Sequence, residues 1–139
     1  MIGIDTNVLL RWLVAPDEWD IGSSKSESDL VEKTIRAKGA EFFVNPIVVA
    51  ETTWILEQKL KLTRADVCEV VDRLLYSTNI TLGGASAVND ARQIYQESNV
   101  GFADCLISCI NRGAGCAYTL TFDKKAARQA GFRNIQIRD

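Results

Sequence analysis

The chain has 139 residues, 47% hydrophobic and 24% charged, with a net charge of −2 at pH 7. This is ordinary globular usage at the size of one domain, and it excludes disorder and fibrous repeats. There is no histidine, which excludes Ser-His-Asp and Cys-His catalysis and the common zinc sets. Charge interrupts every apolar run well short of a membrane span, and MIGID at the N-terminus reads as a strand in place of a signal peptide. The expectation is a single cytoplasmic domain over residues 1–139, with no membrane partner.

In chain order, extended and helical patterns alternate. Residues 1–5 read as a strand, and 6–14 as a helix burying Leu9, Leu10 and Leu13. A polar stretch follows, PDEWDIGSSKSES, whose Pro, Gly and Ser mark a loop over 15–28. Ser26 with Asp29 has capping-box spacing for the next helix. Residues 41–44 form a second strand, after which Asn45 and Pro46 supply an N-cap and a first-turn proline for a helix to about Lys59. Thr63 and Asp66 open a further helix, and Val67, Val70, Val71, Leu74 and Leu75 give it one apolar stripe.

Residues 79–82 are the third strand, and Ala85, Val88, Ala91, Arg92 and Tyr95 keep helical spacing on a fifth helix. The segment 101–112 places Phe102, Cys105, Leu106, Cys109 and Ile110 on one helical face, ending at Gly113. Residues 116–121 form a fourth strand, Asp123 caps a short helix that stops at Gly131, and 134–137 form an edge strand. Cys68, Cys105, Cys109 and Cys116 lack CxxC pairing and read as buried, reduced thiols. Strands separated by helices imply right-handed crossovers and a small, mostly parallel sheet between helical layers, a three-layer α/β/α domain.

Ligands in such sheets bind beyond the carboxyl ends of the strands, and there the sequence places Asp5, Glu51, Asp104 and Asp123. Each is read as standing at or just after a strand-to-helix transition. Four carboxylates gathered there would repel one another without a cation between them. Capping is the alternative role for Asp5 and Asp123, and the helix dipole for Asp104. Glu51 has Ile47, Val48, Trp54 and Ile55 at helical spacing and no basic partner, so its carboxylate is expected to emerge poorly solvated from an apolar surface.

The phrases GIDTNVLLRWL, VVAETTWIL, FADCLIS and TFDKKAAR closely resemble, in order and spacing, the PIN-domain ribonucleases, in particular the VapC-type toxins of toxin-antitoxin pairs. The resemblance spans nearly the whole chain and departs from the family in the segment 16–38. It implies an endoribonuclease dependent on Mg2+ or Mn2+ whose acids are Asp5, Glu51, Asp104 and Asp123, with Thr6, Asn7 and Thr121 as supporting neighbours. It also implies products with a 5′-phosphate and a 3′-hydroxyl, a small antitoxin that occludes the acids, and homodimers.

Hard oxygen ligands suit Mg2+ or Mn2+. Asp5, Asp104 and Asp123 are assigned to the metal, directly or through its waters, and Glu51 to orienting the attacking water, or else to joining the ligands. The net charge gives no global field for nucleic acid, yet residues 111–139 carry six basic residues against Asp123 and Asp139. Arg11, Lys124, Lys125 and Arg128 are read as contacts to backbone phosphates, or else as plain surface charge. Trp12, Trp19 and Trp54 are each core residues or stacking platforms, with core the reading for Trp54.

Two other enzyme classes gather acids at strand ends. A haloacid-dehalogenase-like phosphatase needs an aspartate where Asn7 stands, and a receiver domain needs an adjacent acid pair that no strand end supplies. A PIN-like module that binds RNA or protein without cutting is the alternative from outside the enzymes.

Overall fold

The computed structural model describes residues 1–14, 25–129 and 131–135. The expected loop over 15–28 therefore falls mostly outside the described residues, together with Trp19. Residues 136 and 137 of the expected edge strand lie outside them too.

Strand β1 (Ile2–Gly3) leads into α1 (Thr6–Leu13), which begins because the Asp5 side chain accepts from the Val8 amide at 3.0 Å. This helix buries Leu9 and Leu10 completely and turns extended at Val14. Helix α2 (Lys25–Arg36) follows, and Ser26 lies inside it instead of capping it. Strand β2 (Phe42–Val44) runs into α3 (Pro46–Gln58), capped by Asn45, whose Oδ1 accepts from the Val48 amide at 3.0 Å.

Helix α4 (Arg64–Tyr76) opens on the expected reciprocal box: Thr63 Oγ1 accepts from the Asp66 amide at 3.1 Å, and the Asp66 carboxylate from the Thr63 amide at 3.3 Å. Strand β3 (Ile80–Leu82), α5 (Ala85–Gln96) and α6 (Phe102–Gly113) come next, then β4 (Thr119–Thr121) and β5 (Phe132–Asn134). Between β4 and β5 the expected helix is a single 3-10 turn, Ala126–Arg128. Residues 123–129 are too few for a stable α-helical nucleus, and the shorter turn satisfies their amides.

All strand pairs are parallel, as expected of helical crossovers, and the fold is the α/β/α type. The strands form two sheets, however. In the first, β2 sits between β1 and β3, with Ile2 opposite Phe42 and Val44 opposite Leu82. In the second, β4 pairs with β5, Thr119 opposite Phe132.

The core is continuous around β2. Leu9, Val44, Val49, Leu56, Val67, Val71 and Val88 are fully enclosed, and burying each such side chain stabilises the fold by roughly 1.5–3 kcal/mol. Tyr95 and Phe102 meet edge to face at 5.4 Å and lock α5 to the start of α6. Three cysteines are buried as expected and Cys116 is exposed; all four are free thiols. Burial pushes the Cys105 thiol up to about 11, where it is inert.

Candidate active site

Asp5 and Thr6 stand where β1 ends and α1 begins. The Ile4 amide still donates to the Phe43 carbonyl at 3.0 Å, so the chain leaves the sheet immediately before Asp5. Thr6 Oγ1 donates to Glu51 Oε1 at 3.3 Å, joining α1 to α3 across 45 positions of sequence. Asn7 is exposed, and the capping bond to Asp5 comes from Val8 instead.

Glu51 does emerge from an apolar surface, beside Ala50, Trp54, Ile55 and Ala103, but it is exposed and not poorly solvated. The reason lies in its helical neighbours: Ile47 is 70% and Trp54 49% exposed, so the band around the carboxylate is open to water. The same number overturns the core reading of Trp54, whose ring carries the Lys59 ammonium at 5.8 Å.

Asp104 occupies the third position of α6, which follows α5 through residues 97–101 with no strand between them, contrary to the strand-end expectation. Its carboxyl is held above the ordinary aspartate range, first by burial and then by the negative charge of Asp123. Asp123 follows β4 as expected. Its Oδ1 accepts from the Lys125 amide at 2.8 Å and the Ala126 amide at 3.1 Å, while its own amide donates to Thr121 Oγ1 at 2.9 Å. Thr121 thereby fixes the loop that presents Asp123.

The acids thus fall into two groups, Asp5 with Thr6 and Glu51, and Asp104 with Asp123. Glu51 and Ala103 line a common cleft with Ala50, Trp54 and Ile55, so the groups adjoin along the α3–α6 seam. Among the described residues no three acids, or acids with cysteines, are close enough to form a ready-made metal cage.

Arg11 donates to the Asn7 carbonyl at 3.0 Å and pairs with Glu27 at 3.2 Å. That ties α1 to α2, a role it fills without RNA. Lys124, Lys125 and Arg128 are exposed beside Asp123. The Arg133 guanidinium stacks on the Tyr118 ring at 3.9 Å.

A family model for the PIN domain matches residues 2–132. The chain belongs to the PIN-domain family. It is also similar to a VapC ribonuclease of Aquifex aeolicus (strain VF5), 26% identical over 133 residues that cover 95% of this chain and 93% of that protein. No described helix of this PIN domain is long and apolar enough to cross a membrane. Its donor set of carboxylates and hydroxyls is all oxygen, the chemistry that suits a partly hydrated hard cation.

One part of this PIN domain escaped the reading from sequence. Glu57 on α3 faces the start of α6, where the Tyr95 hydroxyl and the Phe102 amide favour its ionised form. Burial raises the Glu57 carboxyl above its ordinary range despite both groups. Arg64 donates to the carbonyls of Tyr95 at 3.1 Å and Val100 at 2.9 Å, its guanidinium over the Tyr95 ring at 4.2 Å. The one signal in the sequence was Gly101, a helix start with no side chain to cap it.

Proposed function

We propose that this single PIN domain is a Mg2+- or Mn2+-dependent endoribonuclease, the toxin of a toxin-antitoxin pair. The observation that carries the reading is the nearness of two like charges, Asp104 and Asp123: burial first, and then the Asp123 charge, raises the Asp104 pKa. A fold that keeps two carboxylates in mutual repulsion has a use for a cation between them. The relative named VapC ribonuclease supports the choice of substrate class and toxin role.

In this reading Asp5, Asp104 and Asp123 would hold the ion. The chemistry supplied by a bound Mg2+ or Mn2+ is a lowered pKa for water and positive charge beside the phosphate under attack. Glu51, steadied by Thr6, accepts a hydrogen bond from the attacking water and turns its lone pair toward phosphorus. Thr121 keeps Asp123 in place, and Asn7 flanks Asp5. Lys124, Lys125 and Arg128 contact neighbouring phosphates and position the RNA without reading its sequence. Products carry a 5′-phosphate and a 3′-hydroxyl, a small antitoxin covers the acids, two copies form a dimer, and the setting is the cytoplasm.

The test uses the purified protein free of antitoxin, a varied RNA pool with Mn2+, and calorimetric titration of Mn2+. Wild type is expected to cut and to bind the ion, while Asp5→Asn loses at least about a hundredfold in rate, the upper range for removing a group that organises a metal. A protein that neither cuts nor binds Mn2+ would be a non-catalytic binding module.

A further inference from the structure

We infer that Glu57 is a positioning residue, a cap supplied by α3 to the N-terminus of α6, which sets where the Asp104 carboxylate stands relative to Glu51. The functional weight of this placement rests on the ribonuclease reading above; the cap itself does not. Helix α6 starts at Gly101 with φ −61° and ψ 151° and has no side-chain cap of its own. The first amides of a helix need acceptors. A Cβ built on Gly101 would lie 4.0 Å from both Glu57 carboxylate oxygens and 4.0 Å from Asp104 Oδ2. Glu57 therefore stands over the bare cap, and the Phe102 amide there favours its ionised form.

Arg64 works from the other side. It holds the Tyr95 and Val100 carbonyls that lead into α6, so the segment between Tyr95 and Phe102 is gripped by its carbonyls at Arg64 while the Glu57 carboxylate faces its far end. Tyr95, 1% exposed, packs its ring on Phe102, and its hydroxyl favours the ionised Glu57 carboxylate. Glu57 and Glu51 share one helix, six residues or about 9 Å apart along its axis. One rigid element thus carries both the acid that faces Thr6 and the group that seats the helix bearing Asp104.

The experiment compares Glu57→Ala, Glu57→Gln and the double variant Glu57→Ala/Gly101→Ser with wild type, all as full chains. Amide hydrogen exchange of the metal-free protein reports the cap directly, and Mn2+ calorimetry with RNA cleavage reports its effect on the acids. Glu57→Ala is expected to exchange at Phe102 at least about tenfold faster. It should also bind Mn2+ roughly 10–100-fold more weakly, the range for partners that orient metal-binding groups, and lose kcat with KM unchanged. Glu57→Gln keeps an acceptor oxygen and should stay near wild type.

Serine at position 101 supplies a local cap where a Cβ meets nothing closer than 4.0 Å, so the double variant should regain slow exchange and most of the Mn2+ affinity. Phe102 exchange in Glu57→Ala equal to wild type overturns the inference, as does a double variant no better than the single one. Failure of wild type to bind Mn2+ would instead sink the ribonuclease reading, and the exchange rates would still decide the cap.

Discussion

At Asp104 two effects act in the same direction: burial, the larger, and the charge of Asp123 both disfavour the ionised carboxylate. With its folded pKa above the ordinary value of 3.8, the native chain binds more protons than the unfolded one between those two values. Stability contributed by the protonated form is then full below the unfolded pKa and is lost as pH rises through the folded pKa. Asp104→Asn, neutral throughout, should be more stable than wild type at neutral pH and indistinguishable from it near pH 3, measured by urea denaturation at about pH 3 and pH 7. Asp123→Asn removes only the smaller cause, so the Asp104 titration followed by carboxyl 13C NMR should move part of the way down. An unmoved Asp104 titration would show that the two acids do not sense each other. Sequence could nominate these residues but not rank them. It assigned poor solvation to Glu51 from its apolar helical neighbours, yet two of them, Ile47 and Trp54, face water themselves while Val48 alone of the four is buried. Burial depends on which side of a helix meets the rest of the protein, and spacing along one helix does not contain that.

Between elements, the firmest polar link is Arg92 of α5 against Asp72 of α4. Its Nε and one terminal nitrogen donate to the two Asp72 oxygens, each at 2.9 Å, a fork-on-fork geometry with both side chains part-buried. The carboxylate raises the Arg92 pKa further. A double-mutant cycle with Ala at both positions should give a coupling of about 1 kcal/mol, the upper end for pairs that keep some solvent contact. Arg92→Lys should forfeit most of it, because an ammonium cannot span both oxygens. A coupling near zero would mean that apolar contacts alone set the α4–α5 packing. The elements themselves were legible wherever their signals are local: Asn45-Pro46, Thr63 with Asp66, and the stripe from Val67 to Leu75 all lie within a few residues of what they control. The Arg92–Asp72 link spans 20 positions, and the direct passage from α5 to α6 replaces a strand that Asp104 was thought to follow. Such features belong to the packing of helices on one another and leave no periodicity behind.

For the whole molecule, the distribution of exposed apolar surface is the informative quantity. Ile47 and Trp54 on α3, with Ile107 and Ile110 on α6, are each at least 41% exposed. The cleft lined by Ala50, Trp54, Ile55 and Ala103 bridges the two helices. A band of large apolar side chains running across two packed helices is costly to leave in water and marks an interaction face. The band itself is apolar, so it suits a surface of the same kind better than a strongly charged partner. The occupant proposed for it is a second copy of this chain, placed as an isologous contact. Light scattering behind a sizing column should show wild type as a dimer, and Trp54→Glu or Ile107→Glu as a monomer with unchanged circular dichroism. Because Glu51 and Asp104 lie on the same two helices, dimerisation would also narrow the approach to the acids from that side. The monomeric variants should therefore retain Mn2+ binding while changing which RNAs they cut. A wild-type monomer at tens of micromolar would end the dimer proposal and leave the band free for another partner.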